Sequence, residues 1–449
     1  MMKITVIGGG SYLWSMGFCR QLISGEGLGD LDVVLMDVDA AALDLVAAGA
    51  EILRERVGSA VRIAKTTDVD AALEGADFVL VSISTGGLEA MRHDLAIPEK
   101  YGIWHTVGDT VGPAGWSRAV RNIPVFYDLA ARMRDRCPRA WLLNVSNPLT
   151  PLTRVPHRCF GIRALGLCPG VENQVRRLAA LAGCGGARNL DYVVTGIDHG
   201  SWFTDIHADG CDVLARLGEL GYRRSDGQLP SEVVTADPLA EAAGTRAAFA
   251  VWREIGYLPS ITDRHIVENF PWFLAQPTAE LPFQLKRTSI AERQAGRDAR
   301  RRTLERFVAS RDPAVLGQLG HGDDPVVSVI EALRGHGPFL YGSNYMNVGQ
   351  VPGFPPGAVL ETRCRFDGSG VHPLCSPMPD ILKSLTLPIV LRQEAIIDIA
   401  LDGTFDELAA LVYSDPLCCR LRPGQAREMV RELLDANRAW IRNPKLLEF

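Results

Sequence analysis

The sequence lacks three features that would place it outside the soluble globular proteins. It has no apolar run of the roughly 20 residues that a membrane-spanning helix needs, no internal repeat and no low-complexity segment. Hydrophobic residues make up 47% of the chain and charged residues 22%, which is typical of a soluble enzyme. A chain of 449 residues can bury a large core, and this length favours two domains. We expect no membrane partner.

An excess of positive charge is also absent. Lysine and arginine total 47 against 53 aspartate and glutamate, which gives a formal net charge of −6. The densest basic run, at 297–302, contains an aspartate and has a helical pattern, so a solvated helix face explains it. We therefore expect no nucleic-acid partner.

The cysteine pattern excludes a further class. The ten cysteines include no C-x-x-C pair, and in a chain this long they do not indicate a disulfide framework. The first residues lead directly into a strand, so we expect no signal peptide. These features predict a reduced, cytoplasmic protein in which a cysteine thiol is available as a ligand.

Strand and helix signals alternate through the first part of the chain. Apolar strands are predicted at 3–8, 31–37, 61–65, 78–84, 140–144 and 163–168, and the helices between them include 39–57, 70–73 and 123–134. Such alternation indicates a parallel sheet that is covered on both faces. After a further strand at 191–196 the alternation is lost. We therefore predict a Rossmann-type dinucleotide-binding domain over 1–196 and an α+β domain over 197–449.

The first predicted strand ends in the turn Gly8-Gly9-Gly10-Ser11. Gly8 suits a tight turn and Gly10 lets the backbone approach a pyrophosphate, whose charge the following helix N-terminus stabilises. The second strand ends in Asp37, which can bind the ribose hydroxyls of NAD and would repel the 2′-phosphate of NADP. Leu13 stands where the usual fingerprint has its third glycine. The predicted NAD-binding residues are Gly8, Gly10, Ser11, Tyr12 and Asp37, with Ser84 and Asn144 at the ends of later strands.

Four clusters of glycine and polar residues interrupt the apolar pattern, at 107–115, 144–148, 166–170 and 196–202. Each cluster alone has an ordinary structural explanation. Asn144 and Asn147 can hold a loop through Asx turns, and Cys168 or His199 can simply be buried. Cys168 and His199 can instead form an open metal site that substrate oxygens complete, because borderline metals accept mixed ligands.

Taken together, the clusters resemble the NAD- and divalent-metal-dependent glycosidases of glycoside hydrolase family 4, which do not use the usual pair of carboxylates. The matching motifs run from residue 3 to beyond residue 400: the glycine turn, His105 to Pro113, Asn144-x-x-Asn147-Pro148, Gly166-x-Cys168, Gly196-x-x-His199-x-x-Trp202, Tyr257-x-Pro259-x-x-x-Asp263-x-His265-x-x-Glu268, and Asn347 to Glu361. The pattern is most similar to the α-galacturonidase and α-glucuronidase branch of the family.

The resemblance implies an α/β fold in which a Rossmann NAD-binding domain precedes an α+β domain of the lactate and malate dehydrogenase C-terminal type. It implies hydrolysis of a small α-glycoside, such as one of a uronic acid, with NAD and Mn²⁺ or another divalent transition metal. It also implies a homodimer or homotetramer. By the family pattern, Cys168 and His199 bind the metal, and Asn147 contacts the sugar near C3. We also expect Asp109 and His265 to contact the sugar; the alternative for His265 and Glu268 is a structural role on a helix face.

The implied reaction is redox-neutral. NAD⁺ removes hydride from C3 of the sugar, a base then removes the acidified C2 proton, the C1 leaving group is eliminated, water adds and the hydride returns. The metal stabilises negative charge on the C2 and C3 oxygens. The family pattern places the base in the segment that contains Tyr257 and Asp263. We favour Asp263, because an aspartate needs less pKa tuning than a tyrosine.

Two positions depart from the family pattern. Pro169 follows the metal cysteine, where many members have a His or Asp that is the proposed general acid in part of the family, and proline can neither donate nor accept a proton. Asp198 precedes the metal histidine where Asn is usual, so it is either a partner of a ligand or an additional ligand. Two other functions stay open: an NAD-dependent sugar or hydroxy-acid dehydrogenase, and a catalytically inactive NAD-binding regulator. The argument against the regulator is the retention of four residues with a chemical role: Cys168, His199, Asn147 and Asp263.

Overall fold

Six parallel strands form one side of the sheet in the computed structural model, which describes the chain apart from residues 26–27, 29, 224–243, 275–284 and 317–324. They are β1 (Met2–Ile7), β2 (Leu31–Met36), β3 (Arg62–Thr66), β4 (Phe78–Val81), β5 (Trp141–Asn144) and β6 (Arg163–Leu167). Their spatial order is β3-β2-β1-β4-β5-β6. This is the order of dinucleotide-binding folds, whose ligand lies at the strand ends where the order reverses, here between β1 and β4. The predicted Rossmann fold is confirmed.

The sheet continues without a break into an antiparallel region. Its strands are β7 (Leu190–Gly196), β8 (Trp202–Ala208), β9 (Cys211–Asp212), β10 (Leu258–Pro259), β11 (Phe339–Met346), β12 (Val359–Asp367) and β13 (Gly370–Pro373). β11 joins the two regions, because Ser343 and Asn344 pair with β6, and β12 then pairs with both β11 and β7. β7, which the sequence analysis places in the first domain, pairs only within the antiparallel region, so the division at residue 196 stays a prediction.

Helices cover both faces of the parallel strands. They are α1 (Ser15–Ser24), α2 (Ala40–Val57), α3 (Val69–Leu73), α4 (Gly87–Lys100), α5 (Gly112–Arg136), α6 (Leu149–Phe160) and α7 (Gly170–Leu181). Val6 packs with α1 and α2 on one face, and Val79 packs with α5 on the other. The sequence alternation therefore predicted this layering correctly.

The later helices surround the antiparallel strands. They are Val213–Glu219, Arg246–Ile255, Asp263–Ile266, Pro271–Leu274, Ile290–Ser310, Pro313–Leu316, Val326–Leu333, Asp380–Asp402, Phe405–Tyr413 and Gln425–Ala436. Among the helices of the described ranges, none combines the length and the apolar character that a bilayer crossing requires.

The sequence pattern predicted that this helix begins at residue 123, but α5 begins at Gly112. The last four residues of the glycine and polar cluster at 107–115 are therefore helical. Pro113 lies in the first turn, where proline is compatible with a helix because its missing N–H has no partner there. A Cβ atom on Gly115 would collide with the backbone carbonyl of Thr110, so glycine allows this first turn to pack on the preceding loop. The result is a short loop at 105–111 that faces the ends of the strands.

Candidate active site

The glycine turn after β1 packs against the end of β4. Gly8 has a φ of 89°, and the backbone N–H groups of Gly8 and Gly9 donate to the carbonyl oxygen of Met36 at 2.9 and 2.8 Å. A Cβ atom on Gly8 would collide with the carbonyl oxygen of Ser82, so only glycine fits this position. The turn thus brings the ends of β1, β2 and β4 together at the point where a dinucleotide crosses such a sheet.

Asp37 reaches this turn from the end of β2. One carboxylate oxygen accepts a hydrogen bond from the N–H of Gly10 at 2.8 Å, and the other accepts one from the N–H of Asp39 at 3.0 Å. The side chain is half-buried. A turn free of side chains at positions 8 and 10, with a carboxylate beside it, fits the pyrophosphate and ribose of NAD.

The remaining predicted NAD residues lie around the same turn. The N–H of Ser11 donates to the carbonyl oxygen of Gly8 at 3.0 Å. The ring of Tyr12 lies 6.0 Å from the guanidinium of Arg297 and borders a cleft of about 630 Å³. Ser84 is exposed just beyond the end of β4. All three are therefore within reach of the strand ends.

Asn144 has a structural role in the fold. Its amide nitrogen donates to the carbonyl oxygens of Ser146 and Leu149 at 3.2 and 3.3 Å and to Oγ1 of Thr153 at 3.1 Å. Its amide oxygen accepts from the N–H of Ser146 at 2.7 Å. The donors of Nδ2 are therefore engaged by the turn after β5 and by α6, while Oδ1 accepts one hydrogen bond and keeps a second lone pair. The contact of Asn144 with the cofactor stays a prediction.

Asn147 and Asp109 meet beside this turn. Nδ2 of Asn147 donates to Oδ2 of Asp109 at 3.2 Å, and Nε of Arg118 donates to the carbonyl oxygen of Asn147 at 2.8 Å. Glu268 holds the loop that carries Asp109, because its Oε1 accepts from the backbone N–H groups of residues 107 and 108 at 2.8 and 2.9 Å. Two of the predicted sugar-binding residues therefore lie together, with Asn147 in the turn after β5 and Asp109 on a loop that Glu268 holds.

Cys168 and His199 also lie together, as the sequence analysis predicts. Cys168 follows the end of β6 and His199 follows the end of β7, and Sγ of Cys168 lies 3.8 Å from Nε2 of His199. The N–H of Gly170, at the start of α7, donates to the sulfur at 3.4 Å. The sulfur and the imidazole nitrogen are thus available to a single bound ion.

The imidazole of His199 is oriented by its neighbours. The residue has a φ of 60°, and Asn269 donates through Nδ2 to its carbonyl oxygen at 2.9 Å. Nδ1 of His199 lies 2.7 Å from Oγ1 of Thr110, and that hydroxyl donates to Oδ1 of Asp109 at 2.8 Å. Because the single hydroxyl proton of Thr110 points to Asp109, Nδ1 of His199 is the donor and Nε2 keeps its lone pair for a metal.

Asp198 and Glu361 add two carboxyl groups to the cluster. One ligand atom each of Cys168, Asp198 and His199 lie within 4.8 Å of one another. Glu361, on β12, accepts from Oγ of Ser201 at 2.5 Å and from Nδ2 of Asn344 at 3.1 Å. The pairing of β11 and β12 with β6 and β7 therefore brings an acid from the C-terminal part of the chain to the predicted metal ligands.

The charges of this cluster favour a bound cation. Burial, then the negative charges of Asp198 and Glu361, raise the pKa of the Cys168 thiol well above its ordinary value. Burial also raises the pKa of Glu361 to about 7, against the opposing hydrogen bonds from Ser201 and Asn344. A thiol must lose its proton to bind a metal, and a thiolate, a carboxylate and an imidazole together suit a borderline divalent ion. These side chains fit the implied metal.

His265 packs directly on His199. The two ring centroids lie 3.7 Å apart with an interplanar angle of 32°, and Nδ1 of His265 is buried without a hydrogen-bond partner among the described residues. Burial, followed by the charge of His199, lowers the pKa of His265 to about 3. Asp109, His199 and His265 form a second group of possible ligands within 4.8 Å. Asp109 and His265 thus lie beside His199, and Asn147 lies beside Asp109.

Asp263 and Tyr257, the two candidate bases, belong to neither group of possible ligands. Oδ1 of Asp263 accepts from the N–H of Ala248 at 2.9 Å, at the start of the helix Arg246–Ile255. Tyr257 is half-buried just beyond the other end of that helix. The catalytic role of each residue stays a prediction.

Three arginines that the sequence analysis does not single out lie near this site. Nε of Arg264 and Nε of Arg293 are buried and have no hydrogen-bond partner among the described residues. Arg293 is within electrostatic reach of Arg118, Arg264 and Asp109. Within the described part of the chain, none of the three arginines forms an ion pair with a carboxylate. The sequence contained one indication of these arginines, because Arg264 stands between Asp263 and His265 in the motif from Tyr257 to Glu268.

Two family models cover most of the chain. The model of the family 4 glycosyl hydrolases matches residues 3–183, and the model of the C-terminal domain of that family matches residues 194–418. An alpha-galacturonidase from Thermoanaerobacterium saccharolyticum is 30% identical over 460 residues, which cover 98% of this chain and 96% of the relative. The chain belongs to the family 4 glycosyl hydrolases. The resemblance drawn from the motifs is confirmed.

Other comparisons agree over the full length. An alpha-galactosidase from Bacillus subtilis is 28% identical over 98% of this chain and 99% of its own. The solved structure of the Bacillus subtilis protein lplD is 28% identical with a TM-score of 0.83, covering 97% of this chain and 99% of that one. A 6-phospho-alpha-glucosidase from gut microorganisms, solved in complex with NAD and Mn²⁺, has the same TM-score at 20% identity, over 98% and 99%.

The dehydrogenase-like architecture is confirmed at the level of the fold. A lactate dehydrogenase from Eimeria maxima is 15% identical with a TM-score of 0.50, covering 88% of this chain and 95% of that one. At this identity the likeness concerns the fold alone. Family 4 membership, and not this likeness, therefore indicates the reaction.

Proposed function

We propose that this family 4 glycosyl hydrolase removes an acidic sugar of the uronic acid class from a small α-glycoside, with NAD and a divalent metal ion such as Mn²⁺. The observation that carries the proposal is the cluster of Arg118, Arg264 and Arg293 beside Asp109 and His265. None of these arginines forms an ion pair with a carboxylate among the described residues, although the charge of Asp109 acts on Arg118 and Arg293. A sugar carboxylate matches the planar fork of an arginine guanidinium, and the 30% identical relative is named an alpha-galacturonidase.

Residues at the two ends of the site suit the two cofactors. Gly8, Gly10 and Asp37 would hold NAD, and Cys168 and His199 would hold the metal. Bound NAD supplies reversible hydride removal at C3 of the sugar, and the bound metal supplies Lewis-acid stabilisation of charge on the sugar oxygens.

The remaining roles fall to side chains near these groups. Asn147 and Asp109 orient the sugar, since each presents hydrogen-bonding atoms beside the Cys168–His199 pair. Asp263 takes the C2 proton, with Tyr257 as the alternative. The second oxygen of Asp263 is buried without a partner in the described part of the chain, and burial raises the pKa of this carboxyl to about 7, which suits a base that works at neutral pH.

A substrate comparison tests the proposal. The protein is incubated with NAD, MnCl₂ and a thiol reductant, and is offered the nitrophenyl α-glycosides of galacturonic acid, glucuronic acid, galactose and glucose. We expect one of the uronides to have a kcat/KM higher than that of its neutral counterpart by roughly tenfold or more, with no net rise in NADH. Turnover of neutral sugars alone would contradict an acidic substrate. NADH formed in step with product would favour the dehydrogenase, and NAD binding without turnover would favour the regulator.

We also propose a cytoplasmic location and a homodimer or homotetramer. All ten cysteines are unpaired in the structure, which suits a reducing compartment. The oligomer follows from the family resemblance. Light scattering of the purified protein tests the oligomeric state, and a monomer at the concentration used in the activity assay would contradict the proposed oligomer.

A further inference from the structure

Asp198 has a buried carboxylate to which no N–H or O–H group in the described part of the chain donates. The residue is 1% exposed, and the thiol of Cys168 lies close enough to donate to it. Oδ2 lies 3.6 Å from Nδ1 of His199, and this separation is beyond hydrogen-bond distance. The same nitrogen already donates to Oγ1 of Thr110. The charged neighbours that act on Asp198 are Glu361 and Asp109, both acidic. A buried carboxylate that faces two acids and a thiol, with no N–H donor, is a suitable ligand for a cation that replaces the thiol proton.

We infer that Asp198 is a third protein ligand of the divalent metal ion that Cys168 and His199 hold. The inference rests on the metal site of the proposed function and extends it, because it makes the protein's ligand set a thiolate, a carboxylate and an imidazole. Two anionic ligands balance the charge of a divalent ion. The remaining coordination positions stay open for sugar oxygens.

The spacing of the three side chains matches a common ion. Each offers a ligand atom within 4.8 Å of the other two, and Sγ of Cys168 lies 3.8 Å from Nε2 of His199. Typical bond lengths of ~2.3 Å to sulfur and ~2.1 Å to nitrogen, at a tetrahedral angle, separate those two atoms by about 3.6 Å. Asp198 adjoins His199 in the chain and supplies the third corner. An oxygen ligand also favours Mn²⁺ over softer ions.

Glu361 provides a matched control. It lies in the same buried acidic cluster, but its two oxygens already accept hydrogen bonds from Ser201 and Asn344. Asp198→Asn and Glu361→Gln each remove one negative charge and keep the side-chain shape. Only Asp198→Asn removes a ligand if the inference is correct.

Metal binding is measured without substrate. Chelator-treated wild type, Asp198→Asn and Glu361→Gln are titrated with MnCl₂, and free Mn²⁺ is followed by electron paramagnetic resonance. We expect Asp198→Asn to raise the Kd by roughly tenfold or more and Glu361→Gln to raise it by less than about threefold. Equal losses in the two variants, or wild-type affinity in Asp198→Asn, would overturn the inference. Unchanged affinity in Cys168→Ser would instead show that the metal site of the proposed function is wrong.

Cobalt gives a second readout that does not depend on turnover. In the Co²⁺-loaded protein, the thiolate charge-transfer band should persist in Asp198→Asn and disappear in Cys168→Ser. The d–d bands should change in Asp198→Asn but not in Glu361→Gln. If Asp198→Asn does not fold, a crystal structure of Mn²⁺-loaded wild type decides the question. An Asp198 oxygen about 2.0–2.2 Å from the ion supports the inference, and a separation above about 3 Å overturns it.

Discussion

Oδ1 of Asp263 accepts a hydrogen bond from the N–H of Ala248 at 2.9 Å, which places this carboxylate on the first turn of the helix Arg246–Ile255. Its other oxygen is buried without a partner among the residues that the structure describes. Burial raises the pKa of Asp263 to about 7, against the opposing backbone hydrogen bonds of residues 246–248. One oxygen therefore anchors the side chain, and the other is free to exchange a proton near neutral pH.

Asp263→Asn should stop proton removal from C2 of the sugar. The amide oxygen can still accept from Ala248, so the fold should persist, but no base remains. We expect kcat/KM and the incorporation of deuterium at C2 in D₂O to fall by about 10²-fold or more. Tyr257→Phe is the control and should retain both. Normal exchange in Asp263→Asn together with loss in Tyr257→Phe would transfer the base to Tyr257.

The raised pKa of Asp263 also predicts how stability depends on pH. The folded value of about 7 lies above the unfolded value of about 3.9. The folded state therefore binds more protons in this window, and the stabilisation is lost as pH rises through about 7. The Tm of metal-free protein should fall between about pH 5 and about pH 8, with a smaller slope in Asp263→Asn. Asp135→Asn, at a side chain that is 63% exposed, should leave the slope unchanged.

Thr110 should control the metal affinity of His199 although it is not itself a ligand. Its hydroxyl accepts from Nδ1 and so directs the lone pair of Nε2 toward Cys168. Thr110→Val keeps the shape and removes the hydroxyl. We expect its Kd for Mn²⁺ to rise by roughly 10- to 100-fold, as measured by titration of chelator-treated protein. Thr110→Ser should restore the affinity, and a serine variant as weak as the valine variant would point to packing instead.

Arg264 should contribute to recognition of the sugar carboxylate. Arg264→Gln removes the charge while keeping a polar side chain, so we expect kcat/KM for the preferred uronide to fall by about tenfold or more. The value for the neutral counterpart should change little. Arg287→Gln is the control, because Arg287 already pairs with Glu99. Equal losses on charged and neutral sugars would show that Arg264 acts only on the structure of the site.

Local sequence pattern predicted the parts of the site that depend on one βα unit. The turn at Gly8 and the acid at Asp37 each follow a strand that is clear from its apolar residues. Their proximity at the sheet edge could therefore be predicted from the strand order of a Rossmann fold. The pairing of Cys168 with His199 came from the motif resemblance. The link from Thr110 to His199 spans 89 positions, and no local period encodes such a contact.

The sequence could not show how polar side chains are used once they are buried. Asn144 lies where a cofactor contact is common, yet its Nδ2 donates to the turn after β5 and to Thr153 in α6. Glu361 reaches Asp198 only because β12 crosses the sheet to pair with β7. The role of such a side chain depends on which strand from a distant part of the sequence pairs with its own strand. The packing of the whole domain decides that pairing.

Because a proline follows Cys168, the rate of hydrolysis should depend strongly on how easily the leaving group departs. Pro169 has a φ of −75° and a ψ of −2° and directly precedes α7, with its carbonyl oxygen accepting from the N–H of Asn173 at 3.0 Å. That conformation is open to any residue, so position 169 can be changed without strain. With no proton donor here, aryl glycosides that leave easily should exceed alkyl glycosides in kcat/KM by about 10²-fold or more.

Pro169→His should reduce the difference in kcat/KM between aryl and alkyl glycosides, because an imidazolium beside the metal ligand can protonate the departing oxygen. Pro169→Ala is the matched control, since it removes the ring without adding a donor, and it should leave the difference unchanged. The ratio of aryl to alkyl kcat/KM is compared across the three proteins, with Mn²⁺ affinity measured in parallel to detect capture of the ion by the new histidine. Equal rates on aryl and alkyl substrates in the wild type would show that another side chain already supplies the proton. His265, whose Nδ1 is buried without a partner in the described chain, would then be the first residue to replace.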